Sequence, residues 1–532
     1  MGKRHNIPLR KGIPYWVGIV ITFIIMIPTM MLNGTYTGSS IDISGSLGVL
    51  TEDISMAFFA TTAGMVAGYP LYSKVRAITT TKTIVLCNLC LQTLLAFVCA
   101  RTSHIQLITV CGFMIGFLRG FIIIEIVKIL KPLFSKHDRR SEFYSFFYPI
   151  VFVLNQMSMI VTAALAYHYQ WQYMYYLIIG LLLLAIILVL ICFRYGKRQI
   201  VIPFKEIDWV SVLIISALLL TIIYVVTYGK TKDWFDDSTI LAGTISIPIL
   251  GWTFFRRQRR IENPYLNLDV LSGHKPYVAY FFMALVSIFN SSGILISQFT
   301  TTILKLDSVH SNALTIWLFP GFILSAAFCY WHFNAQIWKF RVLIFWGMAC
   351  FTGYFAVLYF GLTPNGTYEF FYLPMVLRGM GTMILFIAFG TYAAEDLLPQ
   401  FTLFNAFFMI TIRGVLSPAI GSSFFSNMLY RFQQNNQMIL SQGVDMQNPM
   451  AASSYSQSLN SALAQGHPLA EAQQLATQTL YNAVQIQSTM VSIKQIVGYM
   501  LMASIVIMVI ARFTPFHKTL KVAVPKTGED MI

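Results

Sequence analysis

The sequence predicts an all-α integral membrane protein with about fourteen membrane-spanning helices. Of its 532 residues, 56% are hydrophobic and only 11% are charged. Soluble globular chains carry roughly a quarter charged residues, so this chain has too few polar groups to cover a water-facing surface. The charges that remain fall in short clusters between apolar runs of about 20 residues, the length that crosses a hydrocarbon core.

Fourteen apolar runs are long enough to span a bilayer. The first follows a basic segment, as a signal peptide would. It is too long for a signal core and no small-residue cleavage motif follows it, so we interpret it as a retained helix. The predicted spans are Ile13–Leu32, Ile54–Tyr72, Thr83–Ala100, Ile105–Leu130, Tyr144–Tyr167, Met174–Phe193, Val210–Tyr228, Ile240–Phe255, Val278–Phe299, Ala313–Tyr330, Val342–Phe360, Phe371–Ala394, Leu403–Met428 and Ile493–Phe513.

The distribution of Lys and Arg predicts the topology. The formal net charge of +15 could indicate nucleic acid, but most of the basic residues lie in alternate loops between the spans. Such a bias is what the positive-inside rule describes, so we expect both termini to be cytoplasmic and no nucleic-acid partner. The basic segments on the predicted inner side are 74–82, 131–140, 197–205, 256–275, 339–341 and 518–526.

No motif in the sequence indicates an enzyme, a metal site or a cofactor. All seven cysteines lie in apolar runs, and we interpret the C-x-x-C pair Cys87 and Cys90 as small packing residues. The histidines are scattered, and neither H-E-x-x-H, G-x-S-x-G nor a Walker loop occurs.

The connection before the last span is unusually long and polar. Residues 432–493 contain no Lys or Arg and are rich in Gln, Asn, Ser and Ala. Asn448-Pro449 suits a helix N-cap and first position, and Gly466 suits a helix end. A second helix starting at Pro468 would continue into the last span along the apolar stripe Leu469, Ala472, Ala476, Leu480 and Val484. These signals favour an extracytoplasmic helical hairpin over a disordered polar linker.

Charged residues inside the spans are the first candidates for function, because a charge in lipid is costly. They are Arg119 and Glu125 in the fourth span, Arg378 in the twelfth and Arg413 in the thirteenth. Arg119 and Glu125 are about 9 Å apart along the helix and about 120° apart around it, so they do not pair along one face. They could share one polar cavity, or Glu125 could pair with Lys128.

Glu125 is the only carboxylate deep in a predicted span. A carboxylate in an apolar cavity can bind and release a proton near neutral pH, and a nearby cation opposes protonation. Our hypothesis is that Glu125 carries a coupling proton and contacts a cationic substrate, with Arg119 tuning it. The alternative is a structural ion pair or a charge that reaches the membrane surface.

Uncharged polar residues at membrane depth are further candidates. Asn33, Asn155, Gln156 and Asn290 could contact a substrate in a central cavity. The alternative is ordinary hydrogen bonding between helices.

A series of short motifs runs along nearly the whole chain. They are Gln170-Trp171-Gln172-Tyr173; Asp208-Trp209; Gly229 with Trp234; Glu262-Asn263-Pro264 with Leu266 and Leu268; Arg378-Gly379-Met380-Gly381; Arg413-Gly414 with Ser417 and Gly421; and Asn448-Pro449, Tyr455-Ser456-Gln457 and Gly466. In this order and spacing they resemble the fourteen-helix drug:proton antiporter branch of the major facilitator superfamily, the EmrB/QacA-like multidrug exporters. Arg119-Gly120 resembles that family's helix-four arginine motif, which is implicated in proton coupling.

The resemblance implies a major facilitator fold. Residues 1–200 would form an N-terminal six-helix bundle, 201–272 two inserted helices with a cytoplasmic linker, and 273–532 a C-terminal six-helix bundle that includes the hairpin at 431–490. It also implies export of small amphipathic or drug-like molecules across the bacterial inner membrane, by alternating access and proton antiport, with the proton gradient as the energy source and no cofactor. The hairpin would dock a periplasmic adaptor and, through it, an outer-membrane channel.

Three departures from the family pattern weaken the expectation of proton antiport. The Gly-Pro motif of helix five is replaced by Ser158-Met159, and Asn33 stands where an acidic residue is common. The loop after helix two keeps Lys74, Arg76 and Lys82 but lacks Asp-x-x-Gly-Arg. The missing helix-five motif favours the alternative function, uptake or export of a specific metabolite, lipid or siderophore by a transporter of the same superfamily that uses uniport or a different coupling.

Overall fold

The chain crosses the membrane as a bundle of helices. A computed structural model describes residues 8–10, 12–34, 38–135, 140–196, 207–335, 339–364, 366–395, 397–445, 447–514 and 516. In these ranges fourteen helical segments are long and apolar enough to span a membrane, as predicted. Since fourteen crossings return the chain to its starting side, the first span begins and the last span ends at one face, which we call the terminal face. The opposite face is the hairpin face.

The first six spans pack around a close pair, α3 and α6. Gly64 and Gly68 on α3 lie against Gly116 and Gly120 on α6, and a Cβ atom at Gly116 would lie 1.7 Å from the carbonyl oxygen of Thr61. The two backbones therefore touch, as is usual where helices associate in lipid through small residues. The helices of this bundle are α1 (Tyr15–Gly34), α2 (Ser40–Leu47), α3 (Thr51–Gly68), α4 (Tyr72–Ile78), α5 (Thr81–Arg101), α6 (Ile105–Phe134), α7 (Arg140–His168) and α8 (Tyr173–Cys192).

Two spans, α9 (Trp209–Tyr228) and α10 (Ser238–Gln258), are inserted between the bundles. An ion pair between Asp208 and Arg257 holds them together at the terminal face, where α9 begins and α10 ends. Asp208 accepts a hydrogen bond from the Ser211 backbone at the start of α9, and Arg257 near the end of α10 donates to it over 2.9 Å. Burial raises the pKa of the Asp208 carboxyl, but the hydrogen bonds from Arg257 and Ser211 outweigh burial and hold this pKa below its usual value. The Tyr265 hydroxyl then donates to the Ala67 carbonyl, which fastens the following linker to α3.

The last six spans pack around α16, which touches α11, α14 and α15. Its Gly379 lies against Leu318, and Gly321 of α14 lies against the carbonyl of Val376, so this pair repeats the close approach of α3 and α6. The helices here are α11 (His274–Ser291), α12 (Gly293–Thr302), α13 (Ser308–Ala313), α14 (Leu318–Asn334), α15 (Phe340–Gly361), α16 (Tyr372–Ala394), α17 (Thr402–Ile410), α18 (Ser417–Gln442), α19 (Pro449–Ala464) and α20 (Leu469–Phe513).

Two spans of this second bundle are irregular in the middle. The helix of the ninth span is interrupted at Ser292, between α11 and α12, and the thirteenth contains a π-helical segment, Thr411–Leu416, between α17 and α18. Neither irregularity was predicted, although polar residues and a glycine occur at each of them, at 290–293 and at 411–414. Both lie beside charged candidates described below.

The polar connection before the last span is a helical hairpin, as predicted. Asn448 caps α19 by accepting from the Met450 backbone at 3.0 Å, and Gly466 has the positive φ of +89° that a helix end favours. Helix α20 has 45 residues and is about 67 Å long, more than twice the thickness of a hydrocarbon core of about 30 Å. Of the predicted apolar stripe, Ala472 and Ala476 are buried but Leu469 is 58% exposed.

Helix α18 continues about four turns beyond the predicted end at Met428. Its extension is held to α20 by side-chain amides: Asn436 donates to Ser492 at 2.8 Å and to Gln495 at 3.0 Å, and Gln433 donates to Thr489 at 3.0 Å. The predicted domain boundary at residue 200 and the basic residues of 518–526 lie outside the described residues.

Candidate functional site

Glu125 is buried near the terminal face and has two partners from α4. Its side chain is 3% exposed. The Tyr72 hydroxyl donates to Oε1 over 2.9 Å, and the Nε atom of Arg76 lies 3.5 Å from the same oxygen. Arg76 is 30% exposed, so this ion pair joins a buried carboxylate to a cation that reaches water.

The partner of Glu125 was not predicted. The alternative pairing with Lys128 is not formed; the Lys128 ammonium instead lies over the ring of Tyr72, 4.7 Å from its centre. Arg76 was counted only as a topology signal in the loop after the second span. Helix α3 continues through a single 3₁₀ turn into α4, and this continuation places Arg76 beside the end of α6. The pairing of Arg76 with Glu125 could not be predicted because the sequence did not show that the second span continues as a helix to Arg76.

Arg119 lies deeper on α6 and does not contact Glu125. Its Nη2 atom is 3.4 Å from the sulfur of Met30 on α1, which is a weak acceptor. Its Nε and Nη1 atoms are buried and have no hydrogen-bond partner among the described residues. The separation of Arg119 from Glu125 agrees with the predicted rotation between them around the helix.

Arg378 lies in the second bundle, beside the break in the ninth span. Its guanidinium rests against Gly293, where a Cβ atom would lie 2.0 Å from Nη1. The side chain is 7% exposed, and its Nε and Nη1 atoms have no partner in the described part of the chain. Asn290 is close by, since it accepts a hydrogen bond from Thr382, which lies one turn beyond Arg378. The structure therefore brings these two predicted residues, Asn290 and Arg378, together.

Arg413 projects from the π-helical segment across the boundary between the bundles. Its guanidinium carbon lies 4.5 Å from the ring centre of Tyr148 on α7 and 5.9 Å from that of Phe386 on α16. Its Nη1 atom is buried without a partner among the described residues. Arg413 thus belongs to the second bundle and stacks on an aromatic side chain of the first.

Asn155 and Gln156 lie on α7, the first-bundle helix that faces the second bundle. Both are half-buried, and Oδ1 of Asn155 has no partner among the described residues. The nearby Phe152 ring is 5.6 Å from the rings of Phe322 and Phe386 in the second bundle. Asn33 lies in α1, but its side chain is outside the described part of the structure.

Ser158 and Met159, which replace the Gly-Pro motif of helix five, lie where α7 packs closely against the end of the first span and the residues that follow it. Ser158 donates a hydrogen bond to the Met31 carbonyl at 3.0 Å. A Cβ atom at Gly38 would lie 2.2 Å from the Met159 carbonyl oxygen. A small side chain at this place therefore keeps α7 close to α1.

The two bundles are bridged at both faces of the membrane. At the terminal face, Arg140 of α7 donates to the Ala394 carbonyl at 2.5 Å and to Thr402 at 3.3 Å. At the hairpin face, Asn312 donates to the Gly38 carbonyl at 2.7 Å and Ser308 donates to Asp42 at 3.2 Å. The contacts between the bundles were not predicted, because each of these residues is an ordinary loop or helix-end residue in sequence. Hydrogen bonds therefore join the two bundles at both faces.

Two helical bundles with bridges at both faces, and unpaired charges between those faces, define a multi-pass membrane transporter. The sequence profile of the Major Facilitator Superfamily matches residues 18–422, which is well over half of the chain, and the protein belongs to this family. It is a secondary transporter rather than an enzyme.

One curated relative is the colistin resistance protein EmrB of Acinetobacter baumannii. It is 24% identical over 323 residues, which cover 59% of this chain and 59% of the relative. The match therefore spans less than two thirds of either protein.

Solved structures share the fold at low sequence identity. The human organic anion transporter MFSD10 (TETRAN) has a TM-score of 0.51 at 9% identity, over 90% of this chain and 99% of that one. A peptide transporter POT in complex with sulfate has a TM-score of 0.52 at 12% identity, over 95% of this chain and 97% of the other. These similarities establish the architecture alone.

Proposed function

We propose that the protein exports small amphipathic, drug-like molecules across the bacterial inner membrane by proton antiport. The observation that carries the proposal is the buried Glu125, a carboxylate held by Tyr72 and by the partly exposed Arg76. The 24% identity to an EmrB protein named for drug resistance supports the assignment to drug export.

The proton step follows from the surroundings of Glu125. When ionised, its carboxylate accepts from Tyr72 and attracts Arg76, and hydrogen bonds to a charged group contribute about 1.5–3 kcal/mol each. Uptake of a proton removes the charge that holds Arg76, so the arginine moves toward water. Proton occupancy thereby alters the contact between α4 and α6. Arg119 acts without direct contact, because its guanidinium faces Met30.

Transport requires the two sets of bridges to open in turn. Loss of the Arg140 contacts would open the central region to the terminal face, which we assign to the cytoplasm on the basis of the basic loops. Loss of the Asn312 and Ser308 contacts would open it to the hairpin face. Alternating access about a central site is the motion that the family's paired bundles support.

The hairpin supports export through a second membrane. It extends well beyond the hydrocarbon core, and apolar side chains on it are exposed, among them Met438, Ile439 and Met450, the last at 81%. Apolar side chains outside the bilayer are not covered by lipid, so a protein partner is the natural cover. We assign this surface to a periplasmic adaptor that leads to an outer-membrane channel.

The test uses proteoliposomes with an imposed pH gradient and a pH-sensitive dye inside. Anionic, neutral and cationic amphiphiles are added in turn, and proton movement and amphiphile movement are recorded. We expect exchange driven by the gradient in wild type, and at least a tenfold loss in Glu125→Gln. Glu369→Gln is the matched control, since Glu369 is exposed and belongs to none of the contacts described above.

Three results would contradict the proposal. Full gradient-driven exchange in Glu125→Gln would exclude Glu125 as the coupling residue. Movement independent of the gradient would indicate a facilitator. Failure to move any amphiphile would favour the specific metabolite, lipid or siderophore transporter.

A further inference from the structure

We infer that the amphipathic substrate of this transporter is an organic anion, an inference that rests on the proposed function and names its substrate class. The observation behind it is a set of three arginines at membrane depth, Arg119, Arg378 and Arg413, which we call the arginine set. Among the described residues, none of the three lies in an ion pair.

The arginine set lies far from both faces. Arg119 is about 21 Å along α6 from its first residue, Arg378 is about 15 Å along its span from Tyr368, and Arg413 is about 16 Å along its span from Thr402. A hydrocarbon core is about 30 Å thick, so these distances place all three near its middle.

The buried carboxylates lie elsewhere and have partners. In the described ranges the fully buried ones are Glu125, Glu142 and Glu395. Glu142 and Glu395 lie at helix ends on the terminal face, and Glu395 pairs with Lys275 at 2.9 Å. Glu125 is about 13 Å from the same end of α6 and is paired with Arg76. No described carboxylate therefore balances the arginine set.

Five nitrogen atoms of the arginine set lack hydrogen-bond acceptors. They are Nε and Nη1 of Arg119, Nε and Nη1 of Arg378, and Nη1 of Arg413. A buried charge without a partner costs several kcal/mol, and a bound anion would remove that cost. The planar guanidinium fork suits a carboxylate, sulfonate or phosphonate head group, which accepts two parallel hydrogen bonds.

Arg413 is the arginine best placed to contact the head group. It is half-buried, it lies at the boundary between the bundles, and it stacks on Tyr148. The ring of Phe386 lies 5.9 Å from its guanidinium carbon, and the Phe152 ring of the first bundle lies 5.6 Å from the rings of Phe386 and Phe322. An acid with an aromatic or aliphatic body would place its charge on Arg413 and its body against these rings.

A cationic substrate fits this region poorly. Its positive charge would be repelled by Arg413, and the carboxylate of Glu125 is already paired with Arg76. A neutral substrate could accept hydrogen bonds from these nitrogen atoms but would not balance the positive charge. The earlier hypothesis that Glu125 contacts a cationic substrate is therefore replaced by an anionic substrate at the arginine set, while Glu125 keeps the proton.

Naphthalene-2-sulfonate and trimethyl(2-naphthyl)ammonium test the inference, because they share an aromatic body and carry opposite charge, and the sulfonate oxygens can accept hydrogen bonds from a guanidinium group. The purified full-length protein is titrated with each ion and its thermal stability is recorded. Both ions also partition into lipid and detergent, so the comparison between variants is the readout. Arg413→Gln and Arg378→Gln remove the charges, and Arg413→Lys restores one of them. Arg431→Gln is the matched control, because Arg431 is exposed further along the same helix.

We expect the sulfonate to stabilise wild type and Arg431→Gln at matching concentrations. Its apparent Kd should rise at least tenfold in Arg413→Gln and Arg378→Gln, with partial rescue in Arg413→Lys. Preference for the ammonium ion, equal response to both ions, or no difference between Arg413→Gln and Arg431→Gln would each overturn the inference. Gradient-driven export of cationic amphiphiles alone would overturn it and leave the proposed function standing, whereas absence of any gradient-driven export would refute the proposed function itself.

Discussion

The bridge made by Arg140 predicts a measurable shift between conformations. Its guanidinium donates two hydrogen bonds across the boundary between the bundles, to the Ala394 carbonyl and to Thr402. A hydrogen bond from a charged group contributes about 1.5–3 kcal/mol, and the second contact, at 3.3 Å, is the weaker of the two. Taking about 2 kcal/mol for the pair, Arg140→Ala should increase the opening equilibrium at the terminal face about thirtyfold.

Hydrogen exchange measured by mass spectrometry reports this equilibrium for each segment. Backbone amides protected only by the closed terminal face should exchange about thirtyfold faster in Arg140→Ala, because exchange follows the open population. The peptides to compare contain residues 140–148 and 388–402. Peptides from the hairpin face, such as those covering 308–313, should exchange as in wild type.

Asn312→Ala serves as the mirror variant. The Asn312 side chain donates to the Gly38 carbonyl and, within its own helix, to the Ser308 carbonyl. Only the first of these uncharged hydrogen bonds joins the two bundles, so the expected gain is about fivefold, for about 1 kcal/mol, and is confined to the hairpin face. If Arg140→Ala raised exchange equally at both faces, the variant would be globally destabilised. If it raised exchange at neither face, Arg140 would not be a bridge that holds the bundles closed.

Three further predictions concern the scaffold. Gly116→Leu should destabilise the first bundle by about 1–3 kcal/mol or prevent its folding, because the larger side chain would force α3 and α6 apart. Gly180→Leu should not destabilise it, because a side chain at Gly180 would point into open space. Thermal unfolding in detergent compares the two variants. Asn436→Ala should speed exchange in residues 485–495 several-fold, unlike Asn460→Ala on the exposed side of the hairpin. The pKa of Asp208 is lowered, so the stability it contributes is fully present above the ordinary pKa of an aspartate and is lost as the pH falls through the lowered pKa. The difference in Tm between wild type and Asp208→Asn should therefore shrink at acidic pH. A difference in Tm that stayed constant with pH would contradict this prediction.

The parts of the fold that depend on local sequence were predictable. Hydropathy located the spans, and the capping residues Asn448 and Gly466 located the helix of the hairpin, because each signal depends on a few neighbouring residues. The rotation between Arg119 and Glu125 was also predictable from helix geometry, and the two side chains do not pair.

Contacts between distant segments were not predictable in the same way. The pairing of Arg76 with Glu125 depends on how α3 runs on into α4, and the bridge from Arg140 depends on how one bundle meets the other. The break at Ser292 and the π-helical turn around Arg413 occur inside spans whose average hydropathy is high, so hydropathy located the spans but not their internal irregularities. Each of these features arises from packing between helices that are far apart in the chain.

The great length of α20 has a mechanical consequence. Helices α18 and α20 pass without interruption from the hairpin into the second bundle, and the amide contacts of Asn436 and Gln433 hold them side by side. A partner that grips the hairpin therefore immobilises the second bundle as well. In that case alternating access would occur by movement of the first bundle relative to the second. Glu125 would then move relative to Arg378 and Arg413, which belong to the immobilised second bundle.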